Sequence, residues 1–235
     1  MGVLLAVDTS GKNGGITLAR VSAQRGGTLE VLETIPLAGG TFSAQLVPQI
    51  ADLLARHQQS KADIDAFAVV SGPGSFTGLR VGLAAIKALA EVLQKPIVAV
   101  SLLEAISLLS PKSGSTTAAL EAGRGDVYVG TYDIQKTGSN DDSSSREATL
   151  VEERLLSREE FVELCRTTAI VTPDATLAEL SRRSGGSAEQ VSYPDANVIA
   201  RIGWRKLQAG QTVAPIELDA NYIRRSDAEI FAKPK

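Results

Sequence analysis

An aspartate, a threonine and a serine stand together where the first apolar run of the sequence ends. Val3 to Val7 has the composition of a buried strand, and Asp8, Thr9 and Ser10 begin the turn that follows it. Asp8 could coordinate Mg²⁺ directly or through water, and Thr9 and Ser10 could donate hydrogen bonds to a phosphate. The alternative is that Asp8 and Ser10 cap their own turn, as these residue types do in many proteins. The sequence leaves both interpretations open.

A glycine-rich stretch offers a second place where an anion could bind. Val69 to Gly82 reads VVSGPGSFTGLRVG, which predicts a buried strand, a tight turn and the start of a helix with Thr77 as its N-cap. Backbone N–H groups at such a junction converge, and the helix dipole there favours an anion. No Gly-Lys-Ser/Thr follows the glycines, so this is not a Walker loop. The alternative is a tight turn capped by its own Ser75 and Thr77.

The residue types of the common catalytic sites are scarce. His57 is the only histidine and Cys165 the only cysteine, so the sequence predicts no metal site, no thiolate-imidazole dyad and no catalytic residue. His57 falls at the predicted end of a helix, and Cys165 fits the apolar face of another. A polar turn in the second half offers Glu121, Arg124 and Asp126, and the arginine could pair with a phosphate or a carboxylate or remain a solvated charge.

Composition excludes several classes of function. The 235 residues carry a formal net charge of −3, with 43% hydrophobic and 22% charged residues. These values are typical of a globular protein and give no basic field for direct binding of nucleic acid. No apolar run approaches the roughly 20 residues of a membrane span. With one cysteine, we expect a cytoplasmic protein with no disulfide and no membrane contact.

The order of the predicted elements repeats. Each half reads as three strands, a helix, a strand, a helix and a further strand with a helix after it, and a Ser- and Gly-rich loop at Lys112 to Thr116 separates the halves. We therefore predict an α/β, actin-like and ribonuclease H-like fold of two lobes with repeated βββαβα halves, residues 1–111 and 112–235. The polar segment Lys136 to Arg146 is predicted to be a loop. The predicted elements include four helices and a short late strand, at Ser43 to His57, Thr77 to Leu93, Ser157 to Cys165, Ala196 to Gln208 and, for the strand, Gln190 to Ser192.

Five motifs, in one order along the chain, carry a family resemblance. They are LLAVDTS at Leu4 to Ser10, GPGSFTGLRVG at Gly72 to Gly82, PIVAVSLLEAIS at Pro96 to Ser107, GDVY at Gly125 to Tyr128, and NYIR at Asn221 to Arg224. Together they resemble the TsaB (YeaZ) family, whose members take part in bacterial threonylcarbamoyladenosine modification of tRNA and bear an older glycoprotease-like label. The resemblance covers nearly the whole chain.

The resemblance implies a subunit without catalysis of its own. Members of the family bind the paralogue TsaD and the ATPase TsaE, and the assembly transfers threonylcarbamoyl from its adenylate to N6 of the adenosine next to the anticodon. The metal site and the transfer chemistry belong to TsaD, so a TsaB-like chain is expected to contact tRNA only indirectly, through the complex. The resemblance implies no tightly bound cofactor. It leaves open whether ATP with Mg²⁺ binds at the interface of the complex.

The resemblance also implies where partners dock. The two helices of the first lobe form a four-helix bundle with TsaD or with a second copy in a homodimer. On this chain the partner-binding face comprises Gly74, Ser75, Phe76, Thr77, Arg80, Ala84, Ala85 and Ala88. Small residues on the helix would let another helix approach closely, although they could equally pack on their own sheet.

Two departures weaken any binding of phosphate or metal in this chain's own cleft. Family members often have a histidine where this chain has Phe42, and often read Asp-Ala-Arg where it reads Glu121-Ala122-Gly123. Two other functions are the alternatives. An autonomous ATPase or kinase of the actin-like fold would use Asp8, Thr9 and Ser10 as phosphate or metal ligands. A peptidase has no nucleophile-base pair or metal site to work with.

Overall fold

The computed structural model describes residues 2–22, 28–137, 146–221 and 223, which form two compact units. Unit 1 contains the described residues up to 105 together with 194–220, and unit 2 contains 106–137, 146–193, 221 and 223. The chain therefore leaves unit 1 and returns to it. The sequence prediction, with its single boundary between residues 111 and 112, did not include this return.

Unit 1 is built on a five-stranded sheet in the order β3-β2-β1-β4-β5. β1 to β3 form an antiparallel meander, and β4 and β5 are parallel to β1. The central strands β1 and β4 are buried along almost their whole length, which explains why both read as continuous apolar runs. The strands are β1 (Gly2–Asp8), β2 (Asn13–Val21), β3 (Leu29–Ala38), β4 (Ile64–Gly72) and β5 (Ile97–Ser101).

Unit 2 repeats this arrangement. Its sheet has the order β8-β7-β6-β9-β10, which matches β3-β2-β1-β4-β5 position by position. The repeated order predicted from the sequence is confirmed. The strands are β6 (Gly114–Gly123), β7 (Asp126–Lys136), β8 (Arg146–Leu156), β9 (Ile170–Thr172) and β10 (Ala188–Gln190).

Six α-helices occur among the described residues. They are α1 (Phe42–Arg56), α2 (Phe76–Leu93), α3 (Leu102–Ser107), α4 (Arg158–Cys165), α5 (Ala175–Arg183) and α6 (Ala196–Gln208). None of these helices has the length and apolar content needed to cross a membrane. His57 ends α1, as predicted, and its Nε2 lies 2.8 Å from Glu33 on β3. Ser157 and Glu160 form the complete capping box that begins α4.

Helix α6 packs in unit 1, although the sequence prediction placed it in the second half. The helix lies on β1 and β4, and a Cβ on Gly203 would come within 2.4 Å of the Ala68 Cβ. Lys206 on α6 donates a 2.5 Å hydrogen bond to Glu104 on α3, across 102 positions of sequence. The apolar stripe of a helix shows that one face is buried but not which sheet buries it.

Three further local predictions need correction. Ser75 and not Thr77 is the N-cap of α2, since its Oγ accepts the Gly78 N–H. The predicted loop at Lys112 to Thr116 is wrong from residue 114 onward, where β6 begins, and the chain passes between the units at residues 105 and 106. β10 lies two residues earlier than predicted. Residues 138–145 of the predicted polar loop lie outside the described residues, as do Tyr222 and Arg224 of the last motif.

Candidate functional site

The turn after β1 is buried and bonded to itself. Asp8, Thr9 and Ser10 are each no more than 3% exposed. Ser10 donates two hydrogen bonds to Oδ1 of Asp8, one from its N–H at 2.8 Å and one from its hydroxyl at 2.6 Å. This is the geometry of the self-capping interpretation. Binding of phosphate or metal by these residues stays a prediction.

Burial dominates the electrostatics of Asp8. Removal of the carboxylate from water raises the pKa of Asp8 above its usual value, and the hydrogen bonds from the Ser10 hydroxyl and N–H act in the opposite direction. A carboxylate in such a place is costly unless it is paired or protonated. The N–H and hydroxyl of Ser10 donate hydrogen bonds to the Asp8 carboxylate and so offset part of this cost.

Three glycines bring α2 and the loop before it directly against this turn. Gly74, Gly78 and Gly82 are four residues apart, and the two that lie in α2, Gly78 and Gly82, share one face of the helix. A Cβ on Gly74 would lie 2.5 Å from the Ser10 carbonyl oxygen, and one on Gly78 would lie 2.1 Å from that of Thr9. A Cβ on Gly82 would lie 2.3 Å from the Thr9 Oγ1. No side chain fits at any of the three positions without movement, so the glycines serve close approach.

Two hydrogen bonds join the same surfaces. The Ser75 N–H donates to the Ser10 carbonyl oxygen at 2.7 Å, and the Thr9 hydroxyl donates to the Gly78 carbonyl oxygen at 2.8 Å. Both therefore use groups that a phosphate would otherwise need as donors. In this arrangement the strand-to-helix junction is closed by the protein's own turn.

Phe42, which stands where family members often have a histidine, belongs to the same cluster. Its ring is buried beneath the turn, and a Cβ on Gly14 would come within 2.8 Å of the ring and 2.4 Å of the Asp8 carbonyl oxygen. The ring also lies beside Gly78, at 3.5 Å from a Cβ built there. An apolar ring thus packs against Gly14 and Gly78, the glycines on either side of the turn.

The predicted partner-binding residues lie on the other side of α2. Gly78, Leu79, Gly82, Leu83, Ile86 and Ala90 form its buried face. Ser75, Phe76, Thr77, Arg80, Ala84 and Ala88 are exposed, and Gly74 and Ala85 are half-buried. The Arg80 guanidinium carbon lies 3.8 Å from the centroid of the Phe76 ring, which is 43% exposed. The structure therefore brings the predicted residues to one helix face and the loop before it.

Helix α1 packs beside α2 and also exposes small apolar residues, which the predicted list of partner-binding residues did not include. Val47 is 55% exposed, and Ala44, Ala51 and Ala55 are exposed on the same side of the helix. The spacing of these small apolar residues opposite the buried Leu46 and Ile50 face was the available signal. We call the exposed sides of α1 and α2 the helix-pair face.

The polar turn of unit 2 is held by its own contacts. The Glu121 N–H donates a 2.8 Å hydrogen bond to Asp174, the residue that precedes α5. Gly123, Arg124 and Gly125 all have positive φ, at 73°, 57° and 91°. Gly123 stands where family members often have arginine, and its backbone conformation favours glycine. The turn therefore differs from the family pattern in its side chains.

The metal-ligand side chains of the described residues are not clustered. Within residues 2–22, 28–137, 146–221 and 223, no three His, Cys, Asp or Glu side chains lie close enough to hold a metal ion. Cys165 is buried in the core of unit 2, where burial raises the pKa of its thiol and a hydrogen bond with Ser181 opposes the shift. A high thiol pKa disfavours the nucleophilic thiolate.

Comparison with known proteins identifies relatives along most of the chain. Residues 36–178 match the family model described as TsaD: tRNA N6-adenosine threonylcarbamoyltransferase. The tRNA threonylcarbamoyladenosine biosynthesis protein TsaB of Bacillus subtilis is 34% identical over 55% of this chain, and the chain spans only 54% of that relative. The TsaB of Escherichia coli is 28% identical over 78% of this chain and 81% of its own length. The TsaB of Haemophilus influenzae is 24% identical over 94% of this chain and 93% of its own length.

Solved structures agree on the fold. YeaZ from Pseudomonas aeruginosa superposes with a TM-score of 0.71 at 22% identity, covering 94% of this chain and all of that chain. The crystal structure of an uncharacterized protein from Pseudomonas aeruginosa with similarity to the peptidase YeaZ superposes with a TM-score of 0.74 at 23% identity. The match covers 95% of this chain and 100% of that chain. The α/β, actin-like and ribonuclease H-like class predicted from the sequence is confirmed.

Proposed function

The chain belongs to the TsaB (YeaZ) family within the group that the TsaD model describes, and we propose that it is the non-catalytic scaffold and activator of a threonylcarbamoyl transferase. Its role is in tRNA threonylcarbamoyladenosine biosynthesis. It binds TsaD and TsaE in the complex that transfers threonylcarbamoyl from its adenylate to N6 of the adenosine next to the anticodon. The proposal places the chain in the cytoplasm, where it meets tRNA only through the complex.

The observation that carries this proposal is the helix-pair face. Two neighbouring helices expose small or apolar residues at Ala44, Val47, Ala51, Ala84 and Ala88 while their other sides complete the core. Small side chains let the backbones of packed helices approach closely, and helix pairs associate by fitting ridges into such grooves. Exposed apolar patches on a globular protein mark sites of association.

Phe76 and Arg80 give this face a candidate anchor. The stacked ring and guanidinium lie at the start of α2, beside the alanine surface. Aromatic and arginine side chains are the residue types that most often dominate binding energy at interfaces. A second copy of the chain could cover the same face when TsaD is absent, so light scattering of the chain with and without TsaD should show competition between the two assemblies.

The competing function, an autonomous ATPase or kinase, would have to open the turn after β1. To bind phosphate, Thr9 would have to release the Gly78 carbonyl and Ser10 would have to release Asp8. The donors of this turn do not fit a bound nucleotide as they stand. Isothermal calorimetry of the isolated chain with millimolar Mg-ATP should therefore detect no binding, whereas saturable heat would favour the ATPase.

Reconstitution tests the proposed function. TsaD and TsaE from the same genome are incubated with threonylcarbamoyl-adenylate and tRNA, with and without this chain, and modified adenosine is measured by mass spectrometry of the digested tRNA. We expect modification to depend on the chain. An equal rate in its absence would contradict the scaffold role.

A further inference from the structure

The side chain of Thr9 contacts the inner face of α2 at Gly82. Gly82 is the third of the three glycines and lies a full turn inside the helix. A Cβ there would approach the Thr9 Oγ1 to 2.3 Å, while the next atoms, Thr9 Cβ and Cγ2, lie at 3.5 and 3.6 Å. At this position the hydroxyl of one side chain is the close neighbour, whereas Gly74 and Gly78 face backbone oxygens.

The same hydroxyl also holds the helix in register. It donates to the Gly78 carbonyl oxygen at 2.8 Å, one turn before Gly82. Thr9 therefore contacts α2 at two successive turns, and both contacts are almost fully buried. If this hydrogen bond broke, the buried Thr9 hydroxyl and Gly78 carbonyl would have no water to bond with instead. The cost of that loss favours a single geometry for the contact.

The exposed residues Ala84 and Ala88 begin two residues beyond Gly82 on the opposite side of α2. Since a helix moves nearly as a rigid rod over two turns, an outward push at Gly82 displaces these residues by a comparable distance. We infer that Thr9 is a positioning residue: it sets the height and register of α2 and so places the helix-pair face for its partner. This inference rests on the proposed docking of TsaD.

A double-mutant cycle tests the inference through affinity for TsaD. Gly82→Ala should push the helix away from Thr9 and weaken binding by about tenfold or more, because interfaces depend on close fit at their centre. Thr9→Ala removes the Oγ1 that the new methyl group would meet. The double variant Thr9→Ala/Gly82→Ala should therefore bind within about threefold of Thr9→Ala alone, a strongly non-additive result.

Gly78→Ala is the matched control within α2. A Cβ there would lie 2.1 Å from the Thr9 backbone oxygen, which no side-chain change at Thr9 removes. Its effect on affinity should thus persist in combination with Thr9→Ala. A second control, Ile170→Val in the core of unit 2, lowers stability without touching α2 and should leave affinity unchanged.

The outcomes separate the two proposals. If the wild-type chain does not bind TsaD, the proposed function fails, and the positioning role fails with it. If the wild type binds and Gly82→Ala binds equally well, or if Thr9→Ala gives no rescue of a folded Gly82→Ala chain, the positioning role alone is overturned. Should Gly82→Ala not fold, recovery of folding and binding in the double variant supports the inference, and its absence contradicts it.

Discussion

The Thr9 hydroxyl donates a buried 2.8 Å hydrogen bond to the carbonyl oxygen of Gly78, 69 positions further along the chain. The two residues belong to separate family motifs, LLAVDTS and GPGSFTGLRVG. Their contact makes the motifs one structural unit, in which the turn after β1 supports the helix that follows the glycine loop. The residues of the two motifs therefore hold α2 close to the turn after β1.

We expect Thr9→Val to destabilise unit 1. The substitution keeps the shape of the side chain but deletes the buried donor, a change that costs about 1 kcal/mol and lowers Tm by about 2–4 °C. Trp204 is the only tryptophan of the sequence and lies on α6 in unit 1, so its fluorescence reports this unit. Thr9→Ser keeps the hydroxyl and should lose less. Equal stability of Thr9→Val and the wild type would show that the hydrogen bond contributes nothing.

Asp8→Asn should change how stability depends on pH. The pKa of Asp8 in the folded chain is raised above 3.8, mainly by burial, so the stability due to its protonated form is fully present below 3.8. That stability is lost as pH rises through the raised pKa. The substituted asparagine stays neutral at every pH, and its amide oxygen can still accept hydrogen bonds from Ser10. We expect the variant to have the higher Tm at pH 7, with the difference shrinking as pH falls towards 4.

Asp63→Asn is the control of opposite sign. Hydrogen bonds from the Ser60 N–H and hydroxyl lower the pKa of Asp63. Its stabilising contribution is therefore present at neutral pH and is lost as pH falls through the lowered pKa. Asp63→Asn should be the less stable chain at pH 7 and approach the wild type in acid. Parallel pH profiles for the two variants would contradict the assignment of Asp8.

Element types and the internal repeat could be predicted from the sequence because periodicity and turn residues are local signals. The partner of α6 could not, since its apolar stripe is equally compatible with either sheet until Gly203 is seen against Ala68. From the sequence, the glycines of the loop predict a tight turn and a place where an anion could bind. Their spacing of four was visible, but the surface they fit, Thr9 and Ser10, is distant in sequence. Contacts of this kind are set by tertiary packing.

Ser157→Ala should destabilise unit 2 and leave unit 1 unchanged. The Ser157 Oγ accepts the Glu160 N–H, and the Glu160 carboxylate accepts the Ser157 N–H in return. Loss of the N-cap oxygen costs about 1 kcal/mol. In thermal unfolding followed by far-UV circular dichroism, the variant should show a transition at lower temperature than the wild type. Because Trp204 lies in unit 1, the transition seen by its fluorescence should stay at the wild-type temperature if the two units unfold separately. Ser157→Thr retains the cap and serves as the control.

Ala88→Glu should abolish binding of TsaD without affecting the fold. Ala88 is exposed on the helix-pair face, whereas Ala85 is half-buried, so a charge at Ala85 would also disturb the packing of the helix. A glutamate at an interface between closely packed helices must be desolvated without a partner, which costs several kcal/mol and lowers affinity by about a hundredfold or more.

Ala175→Glu supplies the comparison for Ala88→Glu. Ala175 is an exposed alanine that begins α5 in unit 2, where a negative charge suits the helix dipole. Both variants should keep the wild-type Tm, and co-elution with TsaD should be lost for Ala88→Glu alone. Val47→Glu on α1 should behave like Ala88→Glu, because its side chain is exposed on the same face. If Val47→Glu binds normally while Ala88→Glu does not, the partner contacts α2 without α1, and the helix-pair face is reduced to one helix.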